Sequence, residues 1–276
     1  MSTVTPIKNL LPVRYELKLI YFSSLMVAIL MIGVSAAGLL MPENVYPTEE
    51  LVQAFLPNDV VNLLFGLPIL AGSMWLSRRG KLVGLLCWPG ALFFVLYNYL
   101  AYVFVSPLSW TSLVYLSLVM LCVYSLIGLA AGIDGEQVKD RLSGKVPEKF
   151  GGAVLAGFGL MFLLRVFLVS VGTISGGEPL TVGEYAANFS DFFTSPAMLI
   201  VGVMLWQRKS FGYAAGLALL FQASMLFIAL IVFLLLQPVL TTAPFAPGDV
   251  IVVFVMGLIC FVPFGLFLNG VLDRSR

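Results

Sequence analysis

The sequence contains no histidine. Imidazole is the side chain that titrates and ligates near neutral pH, so its absence excludes His-ligated haem, His-bearing zinc sites and catalytic triads that pair Ser or Cys with His. Charge is also scarce, with 11% of residues Asp, Glu, Lys or Arg against about a quarter in an ordinary soluble domain. Fifteen basic and fourteen acidic residues leave a net charge of +1, which provides no basic surplus for nucleic acid and no acidic solvating tail. The three cysteines, Cys87, Cys122 and Cys260, each stand alone in an apolar run. Neither a disulfide framework nor thiol redox chemistry is supported, and each is read as a small packing residue.

What is abundant is apolar side chain, at 60% of 276 residues. That composition excludes a water-soluble globule and describes an all-α integral membrane protein. A hydrocarbon core of about 30 Å requires about 20 apolar residues of helix, and eight such runs occur, at 20–40, 60–76, 82–105, 108–133, 151–171, 192–206, 211–236 and 250–268. The sixth is short, holds Pro196 near its start and ends at Gln207-Arg208-Lys209.

With eight spans, fourteen of the fifteen Lys and Arg fall on one side. They are Lys8, Arg14 and Lys18 before the first span, Arg78, Arg79 and Lys81 after the second, Lys139, Arg141, Lys145 and Lys149 after the fourth, Arg208 and Lys209 after the sixth, and Arg274 and Arg276 at the end. The opposite loops hold Glu43, Glu49, Glu50, Asp59, Glu178, Glu184, Asp191 and Asp249 with no basic residue. The positive-inside rule then makes both termini cytoplasmic. Val34-Ser35-Ala36 before Ala37 resembles a signal-peptide cleavage site, but the run is long for such a segment and reads as a helix. No organelle-targeting segment is evident, so a prokaryotic plasma membrane is the expected location. Asn188-Phe189-Ser190 matches the glycosylation acceptor pattern in a loop expected outside.

The order of features recurs between halves. A helix, an acidic outer loop, a short Pro-containing helix ending in Trp and a basic turn, then two longer helices appear twice. Thr48-Glu49-Glu50, Asp59, Pro68, Trp75 and Arg78 are followed by Lys81 in the first half; Thr181, Glu184, Asp191, Pro196, Trp206 and Arg208 by Lys209 in the second. Aligning Lys81 with Lys209 also matches Gly84 with Gly212, Leu92 with Leu220, Phe93 with Phe221 and Ala101 with Ala229. The expected organisation is a tandem, parallel repeat of four-helix units: residues 1–133 with an outer loop at 41–59, a cytoplasmic linker at 134–150, and residues 151–276 with an outer loop at 172–191. The linker carries mixed charge, as a solvated loop or short surface helix does.

The second and sixth spans, short and Pro-interrupted in corresponding places, are the expected position of a binding site. Arg165 is the one basic residue away from the basic face, sixteen residues after Lys149, hence about 24 Å along the helix. A charge at that depth faces protein or water and needs an acid, with Asp59, Asp191, Glu178 and Glu184 the candidates; the alternative is that its stem snorkels to the outer headgroups. Asp59 and Asp191 occupy matching outer positions and read either as helix N-caps or as a facing carboxylate pair. Asn58, Asn62 and Asn98 extend the polar set, and Tyr97, Tyr99 and Tyr102 read as an interfacial aromatic belt. Asn98 is an amide inside an apolar span that must find a hydrogen bond. Spacings such as Gly152 to Gly157 and Gly212 to Gly216 suggest close helix approach.

No catalytic motif, metal-ligand cluster or cofactor signature is visible, so no catalytic residue, metal or cofactor is assigned. The leading expectation is a polytopic membrane protein that binds, and transports, a small or amphipathic ligand or lipid in an outward-facing cleft lined by Arg165, Asp59, Asp191, Asn98 and Asn62. The alternative is a non-catalytic subunit or scaffold packed against another membrane protein. A third is an enzyme on a lipidic substrate using the outer carboxylates.

Overall fold

The computed structural model describes residues 11–272; Lys8, Arg274 and Arg276 lie outside them. The described chain is helical: α1 (Lys18–Leu40), α2 (Pro42–Val45), α3 (Glu49–Val61), a π-helical turn (Asn62–Gly66), α4 (Leu67–Arg78), α5 (Leu82–Val105), α6 (Trp110–Gly132), α7 (Gly135–Leu142), α8 (Glu148–Ile174), α9 (Val182–Trp206), α10 (Ser210–Leu240) and α11 (Pro247–Leu272). Eight helices among the described residues are long and apolar enough to cross a membrane, with α3, the π turn and α4 forming one of them.

Two spans begin about three turns before the apolar runs do. The second starts at Glu49 after Thr48, whose side chain accepts from the Leu51 amide, and the sixth at Val182 after Thr181, which forms a capping box with Glu184. The stretches before Asp59 and Asp191 carry enough polar side chains to fall out of a hydropathy window, yet cap chemistry starts a helix wherever the orphan N–H groups are satisfied. Neither span is broken at its proline. The chain passes through the π turn into α4 with Pro68 in its first turn, and α9 continues through Pro196.

Within each half, consecutive helices pack on one another, and the first also meets the last, α1 on α6 and α8 on α11. The halves join mainly where α5 meets α10 and α9 and where α10 meets α3. Helix α5 is the most enclosed, with Leu85, Trp88, Phe94, Tyr99 and Tyr102 fully buried. Small residues set the closest crossings, because any larger side chain there meets backbone. A Cβ at Gly90 would overlap the Ala218 carbonyl of α10. Between α8 and α9, Gly152 faces Gly202 and Trp206, and Gly159 faces Leu199 and Ser195. Gly157 faces open space, so it is Gly159 and not Gly157 that carries this contact.

The segment between α6 and α8 contains α7, a short helix capped by Asp134, with Val138 and Leu142 fully buried. It is fastened at both ends. Asp134 N donates to Pro12 O at 2.8 Å, and the Glu148 carboxylate accepts from Gly144 N at 2.8 Å and Tyr213 Oη at 2.9 Å.

Candidate functional site

A cavity of about 970 Å³ lies between the two halves. It is lined from α3, α5, α8, α9, α10 and α11 and by the loop residues Pro179, Leu180, Ala243 and Pro244, which belong to the face without basic residues. Its volume is at the upper end of the about 300–1,000 Å³ usual for small-molecule sites. Most of the wall is apolar, with Phe162, Leu226, Phe227 and Phe233 prominent.

Arg165 projects from α8 onto this wall, and its Nη1 lies 2.9 Å from Asp191 Oδ2 of α9. The other carboxylate oxygen accepts from Tyr97 Oη of α5 at 3.0 Å. Three helices therefore converge on Asp191, and α5 is tied in again where Ser190 Oγ donates to the Tyr97 carbonyl at 2.8 Å. The Asp191 side chain is 8% exposed and that of Arg165 39%. The acid is thus held inside the protein while the guanidinium keeps surface toward the cavity.

The cavity is also lined by Asn98, Thr194, Ser195 and Gln222, all buried. The Asn98 amide donates to the Phe94 carbonyl one turn back at 3.0 Å, and Thr194 Oγ1 does the same to Ser190 O at 2.7 Å. Gln222 Oε1 has no hydrogen-bond partner although the residue is 1% exposed. An unpaired buried acceptor carries a desolvation cost of about 1–3 kcal/mol.

Asp59 is elsewhere. It lies in the first half at 1% exposure, accepting from Tyr46 Oη at 2.5 Å and Tyr102 Oη at 2.9 Å, with Gly38 of α1 packed against its carboxylate. It does not line the cavity, and it makes no ion pair among the described residues. Nor does it match Asp191 in register, since it precedes Pro68 by nine residues whereas Asp191 precedes Pro196 by five. The two carboxylates do not face each other as a pair. They are not N-caps either, because Thr48 and Thr181 hold those positions about three turns earlier.

Asn62 opens the π turn, fully buried, and neither of its amide atoms has a partner. Asn188, in the acceptor-like Asn-Phe-Ser, is inside α9 at 8% exposure with its amide on Ser170 Oγ, so this tripeptide is not an open loop. The tyrosines of α5 correct a second expectation. Tyr99 and Tyr102 are fully buried and stack together, and Tyr97 reaches Asp191, so they form internal anchors rather than a belt. Their apolar rings and polar tips suit either place; the central position of α5 decides.

Sequence reasoning missed Gln222 as a cavity residue and Tyr97 and Tyr102 as the groups that reach the two acids. A single polar residue in an apolar span was the available signal for Gln222. The tyrosines carried none, because an interfacial and an internal Tyr look alike in sequence. No cluster of metal-ligating side chains occurs among the described residues.

No family model, curated protein or solved structure matches this chain. Fold and composition define its class, a polytopic α-helical membrane protein.

Proposed function

We propose that the protein binds, and moves, a small or amphipathic ligand in the cavity between its halves. The carrying observation is the cavity itself, about 970 Å³ and largely apolar, with the side chains of Gln222 and Arg165 among those that line it. Gln222 Oε1 has no partner among the described residues, which is costly, and a turn of this amide toward the cavity would offer it to a ligand hydroxyl or amide. The apolar wall takes the rest of the molecule, and the exposed part of Arg165 offers donors nearer the mouth, its charge already balanced by Asp191. Asn98 lines the same wall. Asp59 and Asn62 belong to the first half's interior instead.

The tandem arrangement is part of this reading and has three supports. Gly80 and Arg208, matched in the alignment of halves, both adopt left-handed φ, 74° and 56°. In each case the next amide reaches back five residues, Lys81 N to Leu76 O and Lys209 N to Met204 O, so the same helix-ending turn occurs twice. Gly84 packs on the backbone of Leu76 and Ser77 as Gly212 does on Met204 and Leu205. Gly90 and Ala218, also matched, touch each other where α5 crosses α10, as equivalent residues do at a pseudo-two-fold axis. With the basic loops cytoplasmic, the cavity opens outward across a prokaryotic plasma membrane.

Native mass spectrometry of the protein released in its own lipid tests the proposal. The expected result is a discrete small-molecule or lipid adduct that is lost in Gln222→Leu and in Arg165→Leu. A stoichiometric protein partner with no adduct overturns it in favour of a membrane subunit or scaffold.

A further inference from the structure

Asp59 is an acid inside a membrane bundle with no cation beside it among the described residues. From α1 it meets Ser35 and Gly38, and the one charged residue of that helix, Lys18, stands at its opposite end. The segment after α2 brings Tyr46, α5 brings Tyr99 and Tyr102, and α6 brings Tyr115, its ring tilted against that of Tyr102. Helix α9 brings Asp191, which is engaged with Arg165 and Tyr97, and α10 contains no charged residue. An ionised carboxylate so enclosed has a large uncompensated desolvation cost, and two phenol donors offset only part of it.

The hydrogen bonds around it accommodate either charge state. Tyr102 Oη lies 2.9 Å from Asp59 Oδ1 and 3.4 Å from the Phe55 carbonyl. With the carboxylate ionised, the Tyr102 hydroxyl donates to Oδ1. With a proton on Oδ1, that proton is donated to Tyr102 Oη, and the Tyr102 hydroxyl turns to the Phe55 carbonyl. Tyr46 donates to Oδ2 in both states. One side chain separates this hydroxyl from the cavity, because Asn58 lines the cavity and its Nδ2 donates to Tyr102 Oη at 3.3 Å.

We propose that Asp59 is a proton-binding site, loaded by way of the Tyr102 hydroxyl when the Asn58 amide swings aside and a cavity water takes its place. A proton arriving at Tyr102 Oη releases the tyrosine's own proton to Oδ1, leaving neutral tyrosine and a neutral carboxylic acid. The next rotation of the hydroxyl resets the relay. Such a site has the chemistry of a coupling ion and goes beyond ligand binding in the cavity.

Infrared difference spectroscopy in lipid nanodiscs tests this without any ligand, so failure of the cavity to hold an adduct does not affect it. The spectrum of the protein minus that of Asp59→Asn is expected to show a protonated-carboxyl C=O band that shifts in D2O and disappears at alkaline pH. In Tyr102→Phe the D2O shift of that band is expected to slow at least tenfold. Should Asp59→Asn not accumulate, the same band is identified as the one moved in frequency by both Tyr46→Phe and Tyr102→Phe. A spectrum with only carboxylate bands at all pH values, or one that responds to sodium instead of pH, overturns the site. Unchanged exchange in Tyr102→Phe overturns the relay.

Discussion

Arg165 on α8 reaches Asp191 on α9 at 2.9 Å, and Tyr97 of α5 holds the other oxygen of the same carboxylate at 3.0 Å. One acid thereby fastens three helices beside the cavity. Arg165→Leu leaves the buried carboxylate with a single phenol donor. Breaking a fully buried pair costs about 3–5 kcal/mol; with Arg165 partly exposed, the expected loss is about 2 kcal/mol, discounted for screening. Thermal unfolding of Arg165→Leu, Asp191→Asn and the double variant measures it. Partial rescue in the double variant, a coupling of about 1 kcal/mol, is expected, and simple additivity sinks the contact.

Gln222→Leu separates binding from folding. It removes an unpaired acceptor, so the empty protein should be as stable as before or slightly more so. An adduct retained by the unaltered protein should bind about tenfold more weakly, the equivalent of about 1.4 kcal/mol. Lower stability together with unchanged retention would show that Gln222 only packs the bundle.

Arg208 holds the left-handed position that Gly80 fills in the matching turn. A side chain in that conformation costs about 1–2 kcal/mol, so Arg208→Gly should raise the unfolding free energy by up to about 1 kcal/mol, after allowing for the greater freedom of glycine when unfolded. Gly80→Ala should lower it. A decrease in Arg208→Gly would mean that the arginine side chain contributes more than its backbone conformation costs.

Acid should loosen α7. The Asp134 carboxyl is held below the usual carboxylate range, chiefly by the backbone N–H of Gln137 that it caps. A depressed value means that the stabilisation is complete above the unfolded value of about 3.9 and fades as pH falls below it. Hydrogen exchange in 135–142, corrected for intrinsic rates, should show protection falling below about pH 4. Asp134→Asn keeps the cap without the charge and should remain flat; a parallel fall in that variant would exclude Asp134 as the cause.

The orientation is open to a labelling test. A membrane-impermeant thiol reagent applied to intact cells should modify Thr242→Cys, and modify Lys145→Cys only after permeabilisation. Reversal of the two would place the cavity mouth in the cytoplasm. The native cysteines are buried, so background labelling should be low.

The chain itself determined the helical class and the number of spans, because runs of apolar residues set by bilayer thickness are local properties. It also determined the sorting of Lys and Arg to one side. Its capping threonines were visible as well, yet the helices they start ran beyond the apolar windows, since hydropathy reports burial in lipid and not hydrogen bonding. The choice among Asp59, Asp191, Glu178 and Glu184 as partner of Arg165 was decided only in three dimensions. It depends on the register between α8 and α9, which Gly152, Gly159 and Gly202 set by letting backbones approach. The same holds for Tyr99 and Tyr102, which are internal because α5 became the central helix, and for Gln222, one polar residue that packing turned toward a cavity. Side-chain type is written along the chain, but which side chains meet is fixed by helix crossings that depend on every neighbour at once.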